Sequence, residues 1–151
     1  MRIISEITQN HIIICATVAW FFAQLLKIPF LYLTDRVFSL KRFWGSGGMP
    51  SSHTSLLVSA SVLIGYLHGY NSALFGLSVI ITSVVMYDAT GVRRETGAQS
   101  TVINEIIRRI FEGEKISDKD LKELVGHTPL EVWGGFILGI TVAWIYISIF
   151  F

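Results

Sequence analysis

A chain of 151 residues that is 52% hydrophobic and 13% aromatic, with a mean hydropathy of +0.57, is too apolar for one ordinary water-soluble domain. A net charge of +1 gives no footing for a polyanionic partner, so no nucleic acid is expected. The single cysteine, Cys15, excludes a disulfide framework and a cysteine-based metal site.

The apolar residues gather into four blocks, approximately 11–33, 54–70, 72–90 and 132–151, each near the roughly 20 residues that cross a bilayer as a helix. The expected fold is all-α. Residues 1–151 form a single membrane domain, an integral membrane helical bundle of about four transmembrane helices. A short amphipathic helical segment lies between the third and fourth, within the polar stretch 96–126. The first block is long and lacks a small-residue cleavage site, so it reads as a span and not as a signal peptide. It contains Lys27, an ionisable residue in an apolar run. Such a residue is a functional candidate by default, the alternative being that its head snorkels to the interface.

The loop after the first span carries Asp35, Arg36, Lys41 and Arg42, whose cations can hold phosphate oxygens or anchor the loop to anionic headgroups. It leads into Gly47-Gly48-Met49-Pro50-Ser51-Ser52-His53-Thr54. The glycines allow close backbone approach, Pro50 fixes a turn, and Ser51 or Ser52 can cap the helix that follows. A helix start directs free N–H groups and a positive dipole end at the turn, which favours a phosphate. His53 stands there as a proton donor or acceptor; the plainer reading is a capped helix with a histidine on it. The second and third spans carry serines and threonines suited to helix contacts in a bundle. His68, at the far end of the second span, reads as an interfacial residue without chemistry.

The third span closes on Asp88, Arg93, Arg94 and Glu95 among glycines, a denser polar cluster than topology anchoring requires. Arg93 and Arg94 are suited to bidentate phosphate binding, with Asp88 and Glu95 as supporting carboxylates. Val102, Ile103, Ile106, Ile107, Ile110 and Phe111 recur at helical spacing and predict a helix on the membrane surface or over the bundle mouth. The last span is introduced by Gly126-His127-Thr128-Pro129-Leu130-Glu131. Thr128 and Glu131 make a capping box with Pro129 at the first helical position. Alternatively, Glu131 holds the His127 imidazole in one tautomer and stabilises its cation.

Four spans bring the loops around 34–53 and 88–131 to one face, with His53, Arg93, Arg94, His127 and Glu131 at helix ends around one mouth. Of twelve lysines and arginines, ten lie in these loops, so the site face is expected to be cytoplasmic.

The stretches GGMPSSHT at 47–54, YDATGVRRETGAQ at 87–99 and GHTPLEVWGG at 126–135 resemble the type-2 phosphatidic acid phosphatase superfamily, which includes vanadium-dependent haloperoxidases. The likeness is greatest to its small bacterial divergent branch and covers most of the chain. It implies a lipid phosphate phosphatase of the bacterial inner membrane, working without metal or other cofactor on a lipid phosphate substrate among membrane lipids. By position it makes His127 the nucleophile, Glu131 its orienting carboxylate and His53 the general acid. Lys27, Lys41, Arg42, Ser51, Ser52, Arg93 and Arg94 become the candidate phosphate ligands. Ser52 stands where the superfamily has glycine, Glu131 where it has aspartate, and Leu121 where an arginine precedes the nucleophile. The last departure motivates the alternative of a non-catalytic lipid-phosphate binder or carrier. A metal-dependent enzyme using Asp88, Glu95 and Glu131 is a weaker alternative, and haloperoxidase chemistry the weakest. The superfamily core has more than four helices, which leaves completion by a homo-oligomer open.

Overall fold

The structure is a computed structural model and describes residues 2–36, 48–90, 102, 103, 108 and 129–151. Among them there is no strand. The helices are α1 (Arg2–Thr8), α2 (His11–Asp35), α3 (Ser52–His68), α4 (Ala73–Thr90) and α5 (Pro129–Phe150). Of the segment expected to be amphipathic, only Val102, Ile103 and Arg108 are described, all helical.

Each boundary has a local cause. Asn10 ends α1 and caps α2, its Oδ1 accepting from the amides of Ile12 and Ile13 at 3.0 and 3.2 Å. Ser51 caps α3, and Ser72 receives the Phe75 amide at 3.2 Å at the start of α4. Gly69, at φ 87°, takes the left-handed backbone that lets α3 turn into α4. α5 opens on Pro129, the position where a missing N–H costs no helix hydrogen bond.

α2, α4 and α5 are long and apolar enough to cross a membrane: His11–Leu33, Ala73–Thr90 and Pro129–Phe150. The predicted span at 54–70 is also helical, but α3 has 17 residues and eight of them, mostly small or hydroxylic, are buried. At 1.5 Å per residue it is about 26 Å long. Its serines make it the inner helix of the bundle, and the other three pack around it.

Helix directions follow from the contacts. Lys27 lies on Ser52 and Cys15 on Ser59, so α2 and α3 are antiparallel. Ser61 and Thr82 share a hydroxyl–hydroxyl bond of 3.0 Å, and a Cβ on Gly65 would meet the Phe75 ring at 2.9 Å, so α3 and α4 are antiparallel too. α3 and α5 are parallel and very close. A Cβ on Gly135 would come to 2.4 Å from the Ser51 carbonyl oxygen, and one on Gly139 to 2.8 Å from that of Ser55. Ser55 Oγ stitches the seam, lying 3.0 Å from both the Ser51 and Gly135 carbonyl oxygens. Small residues at four-residue spacing on both helices permit this approach, which carries helix association where lipid removes the hydrophobic drive.

At the opposite end, His11 Nδ1 and the Tyr146 hydroxyl are 2.9 Å apart and the Tyr66 and Phe151 rings are 5.8 Å apart. α4 buries only Thr82 and Ala89, turning Leu77, Ile80 and Val84 outward. An apolar groove of about 300 Å³ runs between α3, α4 and α5, from Tyr70 to Met86. Gly76, on α4, has nothing within 4 Å of a would-be Cβ. Gly76→Ala is therefore expected to raise thermal stability in detergent by about 0.5–1 kcal/mol, since only backbone entropy changes.

Candidate functional site

Because α2 and α4 end where α3 and α5 begin, one end of the bundle collects Lys27, Ser51, Ser52, His53, Asp88 and Glu131. Lys41, Arg42, Arg93, Arg94, Glu95 and His127 lie outside the described residues.

Ser51 is fully buried and serves the junction of α3 with α5. Its N–H donates to the Glu131 carbonyl at 2.9 Å, and its Oγ accepts from the Thr54 hydroxyl at 3.0 Å and from the Thr54 amide at 3.5 Å. The amide of Ser51 is thus engaged in joining the two helix starts. Pro50 is buried beside it, and both Met49 and Pro50 pack against Gly134, whose would-be Cβ lies 3.1 Å from Met49 Cε. The PSSH turn and the start of α5 are consequently one packed unit.

Lys27 is 2% exposed and does not snorkel. Its Nζ donates to Ser52 Oγ at 3.3 Å, and Ser52 is itself 2% exposed. Lys27 stands eight residues before Asp35, so its backbone is roughly 12 Å along the axis from the end of α2. Lys27 therefore holds its ammonium inside the bundle, against the Ser52 hydroxyl, where a charged group is kept only with polar company. Ser52 supplies a hydroxyl to that lysine.

His53 is the next residue, exposed on the first turn of α3. Glu131 is half-buried in the first turn of α5, and Asp88 half-buried near the end of α4. The topology brings these carboxylates and the imidazole to the same end of the bundle as the buried lysine. Two helix N-termini also meet there, each with amides pointing out of the bundle.

Two features escaped the sequence reading. The Gly135-x-x-x-Gly139 spacing, facing Ser51, Ser55 and Ser59, was readable as a small-residue seam. Gln24, buried one turn before Lys27, looked like any polar residue in a span.

Residues 8–142 match a family model described as the divergent PAP2 family. Among curated proteins the chain is similar to the uncharacterized membrane protein YuiD of Bacillus subtilis (strain 168). The two are 38% identical over 146 residues, an alignment covering 89% of this chain and 92% of that protein. No solved structure matches.

Proposed function

As this chain belongs to the divergent PAP2 family and is a membrane protein like its Bacillus relative, we propose that it hydrolyses a lipid phosphomonoester or diphosphate through a phosphohistidine intermediate. The observation that carries this reading is the pinned pair of helix starts. The Ser51 amide on the Glu131 carbonyl joins the start of α3, which bears His53, to the first turn of α5, which His127 precedes in sequence, with buried Lys27 on Ser52 beside the junction.

In this mechanism neutral His127 attacks phosphorus, and the bond to the leaving oxygen breaks as His53 protonates it. Water, deprotonated by His53, then displaces the histidine and releases inorganic phosphate. Glu131 orients His127. Lys27 with Lys41, Arg42, Arg93 and Arg94 balances the charge on the equatorial oxygens. In this proposal the chain is one domain, α3 crosses the membrane as well as α2, α4 and α5, and the mouth faces the cytoplasm, the side favoured by the basic loops. The apolar groove along α4 suits a hydrocarbon chain held in the bilayer while the headgroup enters the mouth. Leu121, in place of the superfamily's arginine, favours the second reading, a binder or carrier without turnover.

The two separate in one experiment. Purified protein in detergent, with chelator, is offered phosphatidic acid, phosphatidylglycerophosphate and isoprenyl mono- and diphosphates. Phosphate release supports the phosphatase; vanadate binding with no release from any lipid supports the binder. Lys27→Met is expected to weaken vanadate binding by about 10- to 100-fold, the worth of a hydrogen bond to a charged group, measured by titration in detergent.

A further inference from the structure

α2 and α5 both pack on α3 but stand apart from each other over the half of the bundle away from the mouth. Between them runs a second groove, of about 460 Å³, with Ile14, Val18 and Phe22 of α2 on one wall and Leu138, Val142 and Ile149 of α5 on the other. Among the described residues that line it, only Thr141 and Tyr146 carry polar side chains, and both are engaged. The Thr141 hydroxyl donates to the Ile137 carbonyl at 2.8 Å, and the Tyr146 hydroxyl shares a hydrogen bond of 2.9 Å with His11 Nδ1. A water molecule needs about two to four polar partners and has no footing here. An empty groove forfeits the dispersion contacts of its lining, so its occupant is apolar.

The dimensions say which apolar occupant fits. The groove follows α5 from Leu138 to Phe150, about 18 Å along the helix axis. That is close to the depth of one leaflet, half of a hydrocarbon core of roughly 30 Å. Spread over that length, the volume leaves a channel about 5 Å wide, which takes one polymethylene chain at van der Waals contact and is too narrow for a helix of about 10–12 Å. The groove is continuous with the lipid-facing surface of two membrane spans, since Phe22, Ile145 and Ile149 on its rim are exposed. The connecting segments 37–47 and 91–128 both leave from helix ends at the mouth. The first carries Lys41 and Arg42 and the second fourteen charged residues, so covering the far half of the groove from there would set those charges in hydrocarbon.

We infer that the α2–α5 groove binds one hydrocarbon chain of a phospholipid from the leaflet opposite the mouth. The chain wedges between the two helices, its glycerol end level with His11 and Phe150 and its methyl end toward Phe22 and Leu138. The headgroup then lies about 30 Å along α5 from Pro129, where that helix opens on the mouth. This lipid is therefore a resident of the fold and not the substrate, and the inference stands independently of the phosphatase reading.

The test uses the full chain in detergent, stripped of copurifying lipid, and a phosphatidylcholine with a photoactivatable diazirine midway along one acyl chain. Adducts are mapped by peptide mass spectrometry. Wild type is expected to label saturably within residues 14–22 and 138–150. Val18→Trp fills the groove from α2, and Thr141→Trp, at an exposed position of α5, fills it from the other wall. Each is expected to lower that labelling about tenfold. Val84→Trp, the same bulk on the outward face of α4, is expected to leave it unchanged. Labelling spread over all lipid-facing residues without saturation would show ordinary bilayer contact and overturn the site, as would groove labelling that survives in both groove variants. A stripped wild type that is dimeric, and that either groove variant renders monomeric, would give the groove to a second copy of the chain and overturn the lipid as its occupant.

Discussion

Phosphate release is expected to fall by about three orders of magnitude or more when His127 is replaced by alanine, with the thermal midpoint in detergent unchanged. The proposed route makes and breaks a bond to this imidazole, so no neighbouring residue substitutes for it. His127 precedes Pro129, the first residue of α5, and packing of that helix rests on Gly134, Gly135 and Gly139, all farther along. Those glycine contacts are unchanged in the variant, so the midpoint is expected to hold. His68→Ala is the matched control: His68 is exposed at the last turn of α3, the end remote from the mouth, and its removal is expected to leave turnover unchanged. Undiminished release by the His127 variant, measured on the lipid that wild type hydrolyses best, would sink the phosphohistidine mechanism.

Gly135→Ala is expected to produce the largest structural effect. The added methyl would sit 2.4 Å from the Ser51 carbonyl oxygen, 3.0 Å from Thr54 Cβ and 3.2 Å from Ser51 Cβ. The closest of these is backbone, so no flexible side chain can swing aside and α3 must move away from α5. That separation weakens the Ser55 bond to the Gly135 carbonyl and the Ser51 bond to the Glu131 carbonyl in one step. The overpacking costs about 1–3 kcal/mol. For a chain of this size that lowers the midpoint by roughly 3–10 °C in a detergent melt. Phosphate release should fall with it, because the two motif-bearing turns no longer meet. Gly76→Ala, the same chemical change on an open helix face, is expected to shift the midpoint the other way. Equal midpoints for Gly135→Ala and wild type would show that the α3–α5 seam is looser than described.

The helices were legible because lipid demands long apolar runs, and the apolar blocks read from the sequence lie within three residues of α2 to α5 at every end. The shifts have local causes. α3 starts at Ser52 and α5 at Pro129, each earlier than its apolar block, because a serine cap and an N-terminal proline extend a helix into polar sequence. α1 was not foreseen, since Arg2–Thr8 is short and carries no long apolar run. Lys27 was undecided between interface and interior. The spacing of Cys15, Ala19 and Ala23 before it, one residue per turn, already marked the face that packs inward. What no local pattern could supply was register across helices. That Ser51 meets Glu131 follows from how closely two glycines let α5 approach α3, and that Lys27 meets Ser52 from the packing of α2 on α3, properties of pairs of helices and of neither alone.

The seam joining Ser51 to Glu131 and Ser55 to Gly135 also fixes when the mouth comes into being during biosynthesis. Ser55 and Gly135 are 80 residues apart, and the contact cannot form before α5 has been made. A nascent chain that has made only α2, α3 and α4 thus holds Ser51 and Ser55 without the Glu131 and Gly135 carbonyls that they meet. Under the proposed function, a chain that stalls before Pro129 is expected to release no phosphate, because the α5 side of that seam has not yet been made.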